Sequence, residues 1–155
     1  MNTSVDAPGV IGFPPLLYAG TLVAGLILHL LVPIGRLPAI PARVSGVTVL
    51  AAAFGLAKWG RDTMNRAGTN INPYQPATTI VMDGPFLFSR NPLYVSLTGL
   101  YVGFALVVDA VWPFVLLVPL LAVVEWGVIR REERYLDAKF GETYLAYKAR
   151  VRRWL

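Results

Sequence analysis

The feature that most constrains this chain is a run of 29 consecutive residues, 7–35, without a formal charge. A helix needs about 20 apolar residues to cross the hydrocarbon core of a bilayer, so this run is long enough to span a membrane. Asp6 is the only charged residue before it. A secretory signal peptide begins with basic residues, so a cleaved signal is not indicated.

Three further apolar segments follow, at 44–59, 92–108 and 110–126. Asp109 lies in the very short connection between the last two, which predicts that they form a helical hairpin. Only 15% of the residues are charged, against about 25% in soluble domains. We therefore predict an all-α integral membrane helical bundle, 1–155, with about four transmembrane helices followed by C-terminal cytoplasmic helices.

The distribution of Lys and Arg predicts the orientation of these spans. Four spans place the two termini and the loop between the second and third spans on one side. Of the 14 basic residues, only Arg36 and Arg43 lie on the other side. By the positive-inside rule, both termini face the cytoplasm. The net charge of +5 then reflects topology and contact with anionic membrane lipids rather than nucleic-acid binding.

The absence of Cys excludes disulfides, thiolate nucleophiles, thiolate zinc sites and iron–sulfur clusters. His29 is the single histidine, and no second metal ligand is in view beside it. We predict no metal site and assign His29 to packing or hydrogen bonding. Gly99 and Gly103 form the small-residue pattern by which helices approach closely. Packing within the chain is one use of this pattern, and a homodimer is the other.

Asn91 and Pro92 mark the start of the third span, because Asn is a favoured N-cap and Pro a favoured first helical residue. The N-terminus of a helix attracts a carboxylate or phosphate, and Arg90 adds a positive charge beside it. The alternative is an ordinary capped membrane helix with an arginine that reaches the interface. Local chemistry alone favours that alternative.

Acidic residues gather where the fourth span ends. Glu132, Leu136 and Phe140 lie at i, i+4 and i+8, on one face of a helix that Gly141 is expected to end. Glu125, seven residues before Glu132, is predicted to lie on roughly the same face at membrane depth. Acidic residues are costly in a membrane and mark functional sites. For Glu133 alone, a solvated face is the default interpretation.

Two motifs, taken together, carry a family resemblance. They are Gly84-Pro85-Phe86 with Arg90-Asn91-Pro92-Leu93-Tyr94, and Glu132-Glu133 with Phe140-Gly141-Glu142, Tyr144, Tyr147-Lys148 and Val151. In this order and spacing they resemble the isoprenylcysteine carboxyl methyltransferase family of phospholipid methyltransferase-like membrane enzymes. The resemblance covers residues 66–151.

The resemblance implies methyl transfer from S-adenosyl-L-methionine, with the cofactor pocket on the cytoplasmic side. The residues it implies for the adenosine are Val81, Met82, Gly84 and Pro85. Those implied for the amino-acid end of the cofactor are Arg90, Asn91, Pro92 and Tyr94. Glu132 and Glu133 would contact its ribose or ammonium, or position the acceptor, and Glu132 and Asn91 are the predicted catalytic residues. No G-x-G-x-x-G is present, so a Rossmann-type site is not expected.

The methyl acceptor is expected to be a small lipophilic or membrane-resident molecule that enters from the bilayer. Many members of the family have His where this chain has Asn91, and Asn cannot take up a proton at this position. A carboxylate, a thiol and an amine all stay open as acceptors. The alternative functions are a membrane NADPH-dependent reductase of the steroid-reductase type and a non-enzymatic membrane scaffold or transporter.

Overall fold

The computed structural model describes residues 6–35 and 39–155, and this part of the chain contains helices and turns but no strand. The predicted all-α fold is therefore confirmed. A 3₁₀ turn (Gly84–Leu87) precedes the third helix. The five helices of the described part are α1 (Pro14–Leu31), α2 (Ala39–Arg66), α3 (Pro92–Val107), α4 (Trp112–Phe140) and α5 (Glu142–Arg150).

The described helices α1, α2 and α4 are long and apolar enough to cross a membrane. α3 is equally apolar but has only 16 residues, a rise of about 24 Å. The described residues thus contain three long candidate spans and one shorter apolar helix, where the sequence predicted about four spans. Arg36, one of the two basic residues expected on the opposite side, lies outside the described residues.

α2 and α3 pack with their backbones in close approach. A Cβ added to Gly103 would lie 2.8 Å from Leu50 Cγ and 3.0 Å from the carbonyl oxygen of Gly46. A Cβ added to Gly99 would lie 2.8 Å from the Cβ of Ala53. The small-residue pattern of α3 is therefore used within the chain, where it lets the two helices touch.

α3 and α4 form the predicted hairpin, since four residues separate Val107 from Trp112. Asp109 makes this turn in the left-handed region, with φ of 58°, which Asp tolerates better than most residues. α1 runs antiparallel to α4: the indole of Trp112 donates to the carbonyl of Val32, just after the end of α1. At the other end the backbone N–H of Ile11, just before α1, donates to the carbonyl of Gly127.

These pairings bring four helix ends to one end of the bundle: the start of α1, the end of α2, the start of α3 and the charged part of α4. Gly141, with φ of 53°, ends α4 as expected and starts α5. The remaining residues, 151–155, cross the start of α3. This end of the bundle holds the candidate site.

Candidate functional site

A cavity of about 540 Å³ lies where the helix ends and the loop 67–83 converge. Sites for small molecules and cofactors usually measure about 300–1,000 Å³, so the cavity is large enough for one. Seven of the ten residues predicted to bind the cofactor line it. These are Val81, Arg90, Asn91, Pro92, Tyr94, Glu132 and Glu133. Met82, Gly84 and Pro85 are not among the lining residues.

Gly84 and Pro85 instead hold the loop in place. Gly84 has φ of 58°, and a Cβ there would lie 2.8 Å from the hydroxyl oxygen of Thr63 on α2. Pro85 is buried, and the next carbonyl, of Phe86, accepts a 2.7 Å hydrogen bond from the hydroxyl of Tyr147 on α5. The Gly-Pro turn thus fastens the wall of the cavity to α2 and α5.

The guanidinium of Arg90 is the most distinctive group in the cavity. The side chain is only 9% exposed, and its Nη2 lies 3.1 Å from Glu133 Oε1. Its Nε and Nη1 are buried and have no hydrogen-bond partner among the described residues. A buried polar group without a partner is costly, and a charged one more so. Arg90 therefore has two donor nitrogens available for an oxygen-rich ligand.

Glu133 is held mainly by Arg153, which lies beyond α5. Arg153 donates from Nε to Glu133 Oε1 at 3.0 Å and from Nη2 to Oε2 at 2.6 Å. These hydrogen bonds to Glu133 are the largest cause of the raised pKa of Arg153, which stays charged. The Glu133 side chain is 7% exposed, and a buried charge needs such pairing.

Glu132 faces a different partner. The hydroxyl of Tyr94, in the first turns of α3, donates a 2.8 Å hydrogen bond to Glu132 Oε1. Both residues line the cavity, and the contact ties the start of α3 to the far part of α4. The two consecutive glutamates therefore serve different elements: Glu132 joins α3, while Glu133 joins the two arginines.

Asn91 occupies the N-cap position of α3 and Pro92 the first helical position, as the sequence predicts. The Asn91 side chain makes no capping bond, and its Nδ2 donates to the carbonyl of Arg153 at 3.0 Å. The backbone N–H of Arg90 donates to the carbonyl of Arg152 at 2.9 Å. Residues 151–155 therefore brace the backbone of the Arg-Asn pair.

Sequence reasoning placed Glu125 on the face of Glu132, and this expectation is wrong. A π turn (Glu125–Ile129) interrupts α4. The wider π turn contains one more residue than an α turn, so the residue on the same face as Glu125 is eight positions later, Glu133, and not seven positions later, Glu132. Glu125 consequently shares Arg153 with Glu133: Arg153 Nη1 lies 2.5 Å from Glu125 Oε1. Glu125 is not among the residues that line the cavity.

Further lining residues come from the loop and from α5. Asn70, Asn72 and Gln75 supply amides, and Tyr144 and Tyr147 supply aromatic walls. Burial raises the pKa of Tyr147 to about 12 and also raises that of Tyr144, so both phenols stay neutral at physiological pH.

Two features of the site are not predicted from the sequence. Tyr144 and Tyr147 belong to the second motif, but the sequence assigns them no role. The sequence indicates Arg153 only as a basic residue of the cytoplasmic side, and its pairing with the buried Glu133 is apparent only from the structure.

Residues 6–13 cover one edge of the cavity. The carboxylate of Asp6 lies 2.6 Å from Lys139 Nζ and accepts a 2.7 Å hydrogen bond from the hydroxyl of Tyr135. The ring of Phe13 stacks on that of Tyr74 in the loop, with centroids 6.4 Å apart. The start of the described chain therefore joins the loop and the end of α4 around the site.

Comparison with known proteins identifies the family. The model of the phospholipid methyltransferase family matches residues 41–143, well over half of the chain. A Haemophilus influenzae protein named only as an uncharacterized protein is 51% identical over 35 residues, which are 23% of this chain and 56% of that one. The chain thus spans about half the length of the curated relative it matches. No solved structure matches significantly. The chain belongs to the phospholipid methyltransferase family.

Proposed function

We propose that this chain is an S-adenosyl-L-methionine-dependent methyltransferase that acts on a small lipophilic or membrane-resident acceptor. The family supports the class, since its members are methyltransferases that use this cofactor. The observation that carries the proposal is that two buried guanidinium nitrogens of Arg90 in the cavity, Nε and Nη1, have no hydrogen-bond partner in the described part of the chain. A carboxylate is the natural partner for such donors, and the amino-acid end of the cofactor has one.

The residues that line the cavity fit the rest of the cofactor. Glu132 offers a carboxylate for an ammonium or a ribose hydroxyl, and Tyr94 fixes its orientation. Asn91, Pro92 and Val81 also line the cavity. Gly84 and Pro85, which the resemblance assigns to the adenosine, instead support the loop that forms this part of the cavity, and Met82 is not among the lining residues. Both oxygens of Glu133 accept hydrogen bonds from Arg153, and Arg90 contacts one of them. Glu133 therefore affects cofactor binding by positioning these arginines.

The bound cofactor supplies an electrophilic methyl group for an in-line displacement. The contribution of the protein is to align the two reactants and to exclude water, and good alignment is worth about 7–11 kcal/mol of the barrier. Glu132 and Asn91 are the residues proposed at the reacting groups. Asn91 has no titratable group, so it orients a partner by hydrogen bonding and does not accept a proton.

The apolar part of the cavity supports a lipophilic acceptor. Its walls there are Ala57 on α2 and Leu93, Leu97 and Leu100 on α3. The three leucines cover about two turns of α3. The apolar part of the cavity therefore extends along α3 away from the charged groups, where the hydrocarbon part of a membrane-dissolved molecule could bind. An acceptor like that of the isoprenylcysteine enzymes fits this division between a polar and an apolar end. A carboxylate, a thiol or an amine could serve as its reactive group.

We further propose that α3 crosses the membrane as a fourth span, with the site on the cytoplasmic side. The antiparallel hairpin with α4 supports this arrangement, because a spanning α4 needs α3 to return across the bilayer. Asp6 and Lys139 meet at the site end of the bundle. Arg43 lies near the start of α2, towards the opposite end. The excess of basic residues at the site end favours the cytoplasm.

Calorimetric titration of the detergent-purified protein with S-adenosylhomocysteine tests the proposal. We expect binding by the unmodified protein and a loss of at least about tenfold in affinity for Arg90→Ala, because a charge-assisted hydrogen bond is removed. Arg134→Ala is the matched control, since Arg134 is exposed on α4. Its affinity should stay unchanged.

A parallel titration with NADPH separates the alternatives. Binding of NADPH without binding of S-adenosylhomocysteine would favour a reductase, and binding of neither would contradict the proposal in favour of a scaffold or transporter. Transfer of a labelled methyl group into a membrane lipid extract, followed by chromatography, then identifies the acceptor. Incorporation that is stable to base indicates an amine or thiol, whereas base-labile incorporation indicates a carboxylate.

A further inference from the structure

Arg153 is outside the set of residues that the sequence marks as a site, yet it forms ion pairs with both Glu133 and Glu125. We propose that Arg153 is a positioning residue: it keeps Glu133 occupied and so leaves Arg90 free to bind the carboxylate of the cofactor. This inference rests on the proposed function, because it concerns the same cavity.

The two arginines differ in how many of their nitrogens are engaged. All three guanidinium nitrogens of Arg153 have carboxylate partners: Nε and Nη2 contact Glu133, and Nη1 contacts Glu125. In Arg90 only Nη2 has one, at 3.1 Å from Glu133, while Nε and Nη1 have none among the described residues. Arg153 therefore engages both oxygens of Glu133 and one oxygen of Glu125, which Arg130 also contacts at 3.0 Å, whereas two nitrogens of Arg90 stay open.

Glu133 is the group for which the two arginines compete. Its contacts with Arg153 are 3.0 and 2.6 Å and involve both oxygens, whereas Arg90 has one contact of 3.1 Å. A two-bond fork of this kind is stronger and more directional than a single contact. If Arg153 is removed, both oxygens of Glu133 lose that fork. The remaining cation beside them is Arg90, and Glu133 would then occupy the donors that the ligand needs.

Glu125 holds the other side of Arg153. Its Oε1 contacts Arg153 Nη1, and its Oε2 accepts from the indole of Trp154 at 3.2 Å. The backbone of the same segment contacts the site directly, since the carbonyl of Arg153 accepts from Asn91. Arg153 is thus fixed at both its side chain and its backbone, which gives Glu133 a partner at a defined position.

The test compares two ligands that differ only in the carboxylate: S-adenosylhomocysteine and its decarboxylated analogue, which keeps the amine. Binding is measured by calorimetry on the full chain in detergent. For Arg153→Ala we expect the affinity for S-adenosylhomocysteine to fall by about tenfold, because a charge-assisted contact to Arg90 is lost. The affinity for the analogue should change by less than about twofold, because it makes no such contact.

A second substitution gives a rescue that a purely structural role does not predict. In Arg153→Ala with Glu133→Gln, the competing charge is removed, and the affinity for S-adenosylhomocysteine should return towards that of the unmodified protein. Arg150→Ala is the control, since Arg150 is an exposed arginine on α5. If Arg153→Ala does not fold, Arg153→Lys serves instead. It keeps the charge but not the fork and should show a smaller loss with the same ligand selectivity.

The possible failures are distinguishable. If the unmodified protein binds neither ligand, the proposed function fails. If Arg90→Ala weakens only S-adenosylhomocysteine, but Arg153→Ala weakens both ligands equally or neither, the role of Arg153 is overturned and the proposed function stands. If the double variant binds S-adenosylhomocysteine no better than Arg153→Ala, then Glu133 does not compete with the ligand for Arg90.

Discussion

The hydroxyl of Tyr94 donates a 2.8 Å hydrogen bond to the carboxylate of Glu132, a residue 38 positions later in the chain. Tyr94 lies in the first turns of α3 and Glu132 in the charged part of α4, so the bond joins the two ends of the helical hairpin. Both side chains line the cavity. The contact therefore links the stability of the hairpin to the shape of the candidate site.

Replacement of Tyr94 by Phe should both destabilise the protein and weaken ligand binding. It leaves Glu132 Oε1, which is partly buried, without its donor, and the loss of such a hydrogen bond costs about 1 kcal/mol. We expect a lower midpoint of thermal unfolding in detergent and weaker binding of S-adenosylhomocysteine. Tyr74→Phe is the control, because Tyr74 is 49% exposed. Equal behaviour of the two variants would contradict a role for the bond.

The contact between α2 and α3 predicts opposite effects for two Gly-to-Ala substitutions. In Gly103→Ala the new Cβ would lie 2.8 Å from Leu50 Cγ and 3.0 Å from a backbone carbonyl oxygen. Overpacking of this kind costs about 1–3 kcal/mol. At Gly55 on α2, no atom of residues 6–35 or 39–155 lies within 4 Å of such a Cβ, so Gly55→Ala should stabilise the helix by up to about 1 kcal/mol. Thermal unfolding of both variants measures the difference, and a destabilised Gly55→Ala would contradict the packing argument.

Deletion of Trp126 tests the register that the π turn sets. Trp126 is 58% exposed and lies within the turn. Removing one residue should convert the π turn into an α turn and rotate the following part of α4 by about 100°. Glu132 and Glu133 would then leave Tyr94 and Arg153, and binding of S-adenosylhomocysteine should be lost.

Trp126→Ala keeps the residue count and is the control for this deletion. We expect it to retain binding, since the side chain is not among those that line the site cavity. A deletion variant that folds and still binds with unchanged affinity would show that the register of the π turn does not matter for the site.

The orientation that we propose, with the site on the cytoplasmic side, can be tested by labelling, because the chain contains no Cys. Ala138 is exposed on the charged part of α4, and Ile34 is 48% exposed after α1, at the opposite end of the bundle. In membrane vesicles, Ala138→Cys should react with an impermeant maleimide only when the vesicles are inverted. Ile34→Cys should react only when they are right side out. The reverse pattern would contradict the positive-inside assignment.

Much of the architecture was predictable because it depends on local chemistry. The long uncharged runs predict membrane helices, because charged residues are unfavourable in lipid and a helix forms all the hydrogen bonds of its backbone N–H and C=O groups internally. Pro92 and Gly141 bound helices through their own backbone preferences. Gly99 and Gly103 predict a close helix contact. The types of residues at the site, above all Arg90 and Glu132, were also evident from the motifs.

The tertiary structure decided which acidic residue pairs with which arginine. The sequence cannot reveal a π turn by counting positions, and one additional residue in that turn moves Glu125 from the face of Glu132 to that of Glu133. Nor does local sequence show that residues 151–155 return to α3, where Arg153 takes both oxygens of Glu133. These contacts join residues 20 or more positions apart, and only the folded path of the chain leaves the donors of Arg90 open. The amino-acid sequence determined a membrane helical bundle with charged groups at one end, and tertiary packing determined which of those groups can bind a ligand.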